Sequence, residues 1–196
     1  METKDLEYLQ HFEEGLRDQL IKLMGECSML GECSMLGDCL FTVEELTEVW
    51  HAAAPEYMAD AIPQIADYPM AAIAWAAYFG IGAAVLWDKQ ESMADGVAVY
   101  KRLRDARGFD EMDEYVGYLM IDNGLRSELV ERTEDALRRC AEVALTAIRK
   151  ENIEPQSVMA FHVFARTTKV MFALGQSAVM HLMGYRYEKA RVELPS

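Results

Sequence analysis

From Met70 to Trp87 the chain reads MAAIAWAAYFGIGAAVLW, eighteen residues without a charged side chain. A run of that length meets the minimum for a membrane span, so the choice between bilayer and protein interior has to be made from composition. Seven of the eighteen are Ala and two are Gly, only five are Leu, Ile, Val or Phe, and Asp67 and Asp88 flank the run without a basic cluster. That composition favours a helix buried among other helices, and no membrane contact is expected. Ala72, Ala76, Gly80 and Ala84 recur every fourth residue and form a ladder of small side chains that another helix can approach closely. Trp75, Tyr78, Phe79, Val85 and Leu86 are expected on the opposite side.

The remaining segments show the same helical period. Lys4 to Met24 places Leu6, Leu9, Phe12, Leu16, Leu20, Leu23 and Met24 three and four apart. Thr42 with Glu45 has the form of a capping box opening a helix, and Pro55 and then Pro63 are expected to break the chain. Pro69 suits a first helical turn. Short helices are expected near 97–106 and 109–122, the latter closed by Asn123-Gly124. Ser127 to Lys150 puts Leu129, Val130, Leu137, Cys140, Ala141, Ala144 and Ile148 on one face. On its outer face the pairs Glu128 with Arg132, Glu134 with Arg138 and Asp135 with Arg139 sit four apart. Glu154-Pro155 opens a last apolar helix, about 155–183, which Gly184 stops.

These elements predict an all-α, single-domain helical bundle (1–196) of six to eight helices around the Ala-rich helix (about 70–87) and the C-terminal apolar helix (about 155–183). Residues 25–41 hold a hexapeptide repeat, GECSML GECSML GDCLFT, whose glycines predict a loop or frayed helix end. Residues 185–196 are expected to lie as a surface tail.

Charge is unevenly placed. Of a net −14, residues 1–99 hold 18 acidic and 4 basic side chains, whereas residues 100–196 hold 15 of each. Such a field repels nucleic-acid phosphate, so no nucleic-acid partner is expected, and the acidic half leaves open a decoy of nucleic acid. The opening METKDLEYLQHFEE resembles neither a secretory signal nor a transit peptide, and Cys27, Cys33, Cys39 and Cys140 suit reduced thiols, so a cytoplasmic location is expected.

YPMAAIAWAAYFGIGAAVLWD, RGFDEMDEYV, IEPQSVMAFHVFARTTKVMFALG and GYRYEK resemble an uncharacterised family of short all-helical proteins from gut Bacteroidales bacteria. The resemblance covers about residues 67–189 and implies a cytoplasmic helical protein of unknown role. It brings no catalytic residues with it.

The chemical motifs are sparse. Glu48-Val49-Trp50-His51 has the Glu-x-x-His spacing of carboxylate-bridged metal bundles, but such sites need a second copy and further Glu, so neither a metal nor a cofactor is expected; Glu7 with His11 is weaker still. The C-x5-C-x5-C spacing of Cys27, Cys33 and Cys39 is not that of a zinc site, and Cys140 falls on the core side of its helix. His162, Arg166, Lys169 and Gln176 share one stripe of the last helix and are the candidate ligand-binding residues, either for an anion or as partners of acids in the N-terminal half. No phosphate loop, nucleophile elbow or paired Cys-x-x-Cys occurs. The leading expectation is a non-enzymatic protein-interaction or scaffold protein that self-associates as a homodimer through apolar helix surface. The alternative is a small-molecule (anion) binding protein or enzyme with a pocket between helices.

Overall fold

The computed structural model describes residues 3–30 and 40–185. Among them are seven α-helices and no strand: α1 (Thr3–Glu26), α2 (Glu44–Ala61), α3 (Pro69–Asp88), α4 (Gly96–Asp105), α5 (Met112–Asp122), α6 (Ser127–Lys150) and α7 (Val158–Leu182). The fold class is the all-α bundle that the hydrophobic periods predict. Cys33, Cys39, most of the repeat and Arg186, Lys189 and Arg191 of the tail fall outside the described residues.

Side-chain contacts between helices give each one a direction. Tyr57 of α2 donates to the Ala72 carbonyl near the start of α3, 2.8 Å away, while Trp50 lies against Phe79 further along, so α2 and α3 are antiparallel. Cys27, just past α1, meets Arg139 of α6, and Tyr8 meets Glu151 just past its end, so α1 and α6 are antiparallel too. Gly80 of α3 meets Phe172 of α7, and Trp87 packs at a tilt against Tyr185 just beyond α7, with ring centroids 5.8 Å apart. The helices therefore alternate up and down, and α3 and α7, remote in sequence, lie side by side in parallel.

Their contact is made by backbone. A Cβ added at Gly80 would sit 2.1 Å from the Phe172 carbonyl oxygen, and one at Gly175 would sit 2.0 Å from the Ala77 oxygen. Only glycine leaves room there. The small ladder of α3 is thus the face that meets α7. Phe79 does not lie opposite it, as expected, because seven residues bring a helix almost full circle from Ala72; it packs on Phe172 with ring centroids 4.9 Å apart. Around this pair Trp50, Tyr57 and Tyr100 close an aromatic cluster joining α2, α3, α4 and α7. In α3, 78% of the membrane-length window is buried inside the protein.

Several local expectations are corrected. Pro55 does not break α2 but lies inside it. Its ring faces solvent, as does His51 one turn earlier, so the carbonyl left without a donor is on the wet side, where water can satisfy it. Thr42 does not cap α2: the N-cap is Val43, without a side-chain hydrogen bond. Pro63 instead sits in the 3-10 turn Ile62–Gln64 that ends α2. Helix α7 starts at Val158, three residues after Pro155, because Ser157 supplies the cap by accepting from the Ala160 amide at 3.1 Å. Helix α5 begins at Met112 rather than near Phe109. Asp135 pairs with Arg138, three residues on, rather than with Arg139, which turns to Cys27. Pro69 opens α3, and Gly124 and Gly184, with φ of 89° and 96°, follow α5 and α7 as expected. Gly25 stays helical, and the turn falls on Ser28 at φ 58°, where Met29 N reaches back to the Met24 carbonyl at 2.9 Å.

Gly175→Ala is expected to destabilise the fold by about 3 kcal/mol, the upper range for overpacking, because backbone rather than a side chain must yield. Gly15→Ala, at an exposed position of α1 with nothing within 4 Å of the added Cβ, is expected to stabilise by about 0.5–1 kcal/mol. Urea denaturation of the two variants checks the contrast.

Candidate functional site

The polar stripe of α7 is brought together only in part. Arg166 Nη1 and Lys169 Nζ both bind the carboxylate of Glu13 on α1, the latter at 2.7 Å. Gln176, only 3% exposed, donates its Nε2 to the Phe41 carbonyl at 3.1 Å. Beside it, Ser177 Oγ accepts from the Phe41 amide at 2.9 Å. His162 is half-buried, with its ring edge-on to Phe161. The four residues thus divide between tying down α1, tying down the segment before α2, and lying near the start of α7.

Burial pushes the Glu13 carboxyl up, but hydrogen bonds from Lys169 and Arg166 and their positive charge outweigh it and hold the group below the usual carboxylate range. Depressed carboxylates stabilise the fold above their unfolded pKa, and that contribution is lost as pH falls through the folded value. Both partners are more than a third solvated or nearly so, which discounts the magnitude.

Glu48 and His51 are both exposed, with Oε1 and Nδ1 3.8 Å apart. Among the described residues no group of three or more His, Cys, Asp and Glu is arranged to hold a metal ion. The clefts among the described residues include three open ones. One, at the upper end of α3, is lined by Glu45, Trp87, Asp88, Glu91, Met93 and Tyr185; another lies between α1 and α6 at Gln19, Glu142, Thr146 and Lys150. The third follows Glu91 to Asp95 and Arg102. None of the three is lined by the α7 stripe.

One polar arrangement was not foreseen from the sequence. Asp113 of α5 has a buried Oδ1 without a hydrogen-bond partner, and Trp75 Nε1 of α3 is in the same state. Across the α5–α6 contact, Gly117 leaves a notch in which Glu134 Oε1 would lie 3.6 Å from an added Cβ. Desolvation raises the Asp113 carboxyl despite backbone amides that bond it, and Glu114 and Glu111 add to the rise. Desolvation likewise raises Glu134, with Asp113, Glu131 and Asp135 contributing repulsion. Tyr78, buried on α3, feels the same carboxylates. Nothing in the spacing of either helix signals this, since the field of Asp113 reaches Glu134 only once α5 docks on α6. The chemistry available there is proton uptake above the usual carboxylate range. None of the three clefts is lined by either acid.

Comparison with known protein families, curated proteins and solved structures yields no match, and so does not bear on the resemblance read from residues 67–189.

A carboxyl with a raised folded pKa costs stability once ionised, so the fold loses stability as pH rises through that value and regains it below the unfolded one. Asp113→Asn is therefore expected to raise stability at pH 7 by about 0.5 kcal/mol after solvent screening, with the gain fading toward pH 4. Thermal melts of the variant and the parent across that pH interval measure it.

Proposed function

We propose that the protein is a non-enzymatic, intracellular protein-interaction or scaffold module that self-associates through one end of its bundle. The observation behind this is that six of the eight exposed large apolar side chains among the described residues lie at one end, the other two being Tyr118 and Ile121 on α5. Leu6 stands at the start of α1, Ile62, Ile65 and Tyr68 in the α2–α3 turn, and Val158 and Phe161 at the start of α7. With α1, α3 and α7 running up and α2 down, all six belong to the same end of the bundle. Tyr68 is 65% exposed and Val158 73%. Scattered apolar residues need no explanation on a monomer, but a group gathered at one end is the form of surface that partners cover.

The polar interior supports the same reading. Arg166, Lys169 and Gln176, the residues best suited to hold a small anion, are engaged by Glu13 and the Phe41 carbonyl. A ligand would have to displace those contacts. Acids of the N-terminal half are also partly spent inside the protein, with Asp60 accepting from Tyr100 at 2.7 Å and from Arg104 at 3.0 Å. That weakens the case for an acidic decoy.

Sedimentation of the full chain at micromolar concentration is expected to give a dimer. Placing a charge at the centre of the apolar end, as Ile65→Glu together with Phe161→Glu, is expected to weaken association at least about tenfold while leaving the helical signal intact. A parent that sediments as a monomer, or a dimer indifferent to both changes, contradicts the proposal.

A further inference from the structure

The cleft at the upper end of α3 lies at the end of the bundle remote from the apolar patch, and two matching turns build its walls. Helix α3 closes with Gln90 at φ 60° and the Glu91 amide reaching back to the Leu86 carbonyl at 3.1 Å. Helix α7 closes with Gly184 at φ 96° and the Tyr185 amide reaching back to the Met180 carbonyl at 3.0 Å. Because the two helices run parallel, the same turn on each sets Trp87 beside Tyr185, with ring centroids 5.8 Å apart and planes inclined at 51°. Rings so inclined form a corner rather than a closed stack. Together with Met93 they line a cleft of about 450 Å³.

Charge gives the corner its sign. Glu45, Asp88 and Glu91 line the same cleft, and no Lys, Arg or His does. Glu91 is taken by Arg102, which binds it through both Nη atoms. Among the described residues Asp88 accepts from neutral donors alone, Tyr185 Oη at 2.7 Å and Asn123 Nδ2 at 3.0 Å, and Glu45 is exposed. Asn123 and Tyr185 follow α5 and α7, so these two bonds bring the carbonyl ends of three helices together, each with its negative partial charge. Neither α3 nor α5 has a basic residue in its last turn, and Lys89, just past α3, is spent on Asp122.

We propose that this cleft binds a quaternary ammonium ion, its methyl groups in the corner of Trp87 and Tyr185 and its charge balanced by Asp88 and Glu45. The class follows from what the lining offers. An anion is repelled. A hard divalent cation takes about six or more oxygens, and no group of three or more acidic, His or Cys ligands is assembled among the described residues. Both Asp88 oxygens already accept hydrogen bonds, so this carboxylate offers charge rather than new hydrogen bonds. A quaternary ammonium needs none, and its methyl groups favour aromatic surface over water.

The test is saturation-transfer NMR on the methyl protons of choline mixed with the full-length chain at constant ionic strength. Saturable binding with a Kd of about 1 mM or tighter is expected, undisturbed by an equal concentration of sodium. Phosphocholine carries the same head on a phosphate, which the acidic rim repels, and is expected to bind at least about fivefold more weakly. Trp87→Leu is expected to weaken choline about tenfold. Glu45→Gln, at an exposed position that leaves the fold intact, is expected to weaken it about twofold. The Trp87 indole N–H resonance, assigned from its loss in Trp87→Leu, is expected to shift on titration while those of Trp50 and Trp75 stay in place. No saturable binding up to about 50 mM choline, tighter binding of phosphocholine, or an affinity unchanged in both variants overturns the proposal. Since the apolar patch is at the other end, the outcome is independent of whether the protein self-associates.

Discussion

The bundle depends on a contact in which two helices meet backbone to backbone. Gly80 and Gly175 each face a carbonyl oxygen of the other helix at a separation that excludes even a methyl group. Such closeness brings long stretches of α3 and α7 together, and it explains why α3 is built from Ala and Gly rather than Leu. Dispersion gains from many small contacts replace the burial of large side chains. Because the contact is parallel, the intervening α4, α5 and α6 must return the chain to the starting end, which gives the alternating arrangement. The aromatic cluster of Trp50, Tyr57, Phe79, Tyr100 and Phe172 then seats α2 and α4 against this pair.

Polar groups in and near this core act mainly as fasteners. Glu13 joins α1 to α7 through two cations, Gln176 and Ser177 hold the segment leading into α2, and Tyr57 joins α2 to α3. The exception is the α5–α6 contact, where Asp113 keeps an unsatisfied oxygen beside other acids. Proteins hold such conflicts at a cost of stability, and here the cost is tied to protonation.

Much of this was legible in the sequence, and the exceptions have physical causes. Helix α3 stands out because no charge interrupts it and Pro69 opens it; α6 stands out because its apolar residues keep a strict helical period. Pro55 misleads because the rule against proline in a helix assumes a dry carbonyl one turn back, whereas His51 faces water. Thr42 misleads because a capping pattern competes with tertiary contacts, and the segment is held by Phe41 instead. The stripe of His162, Arg166, Lys169 and Gln176 could be found from spacing alone, but its partners could not, since Glu13 and Phe41 are more than a hundred residues away. For the same reason the electrostatic conflict that raises Asp113 and Glu134 became visible only in three dimensions.

Native-state hydrogen exchange tests the central claim most directly. If the glycine contact organises the bundle, amides of α3 and α7 around Gly80 and Gly175 exchange only through global unfolding, at the full free energy of the fold, while α1 and α5 open at lower free energy. Faster exchange in the middle of α3 and α7 than in α6 would contradict it.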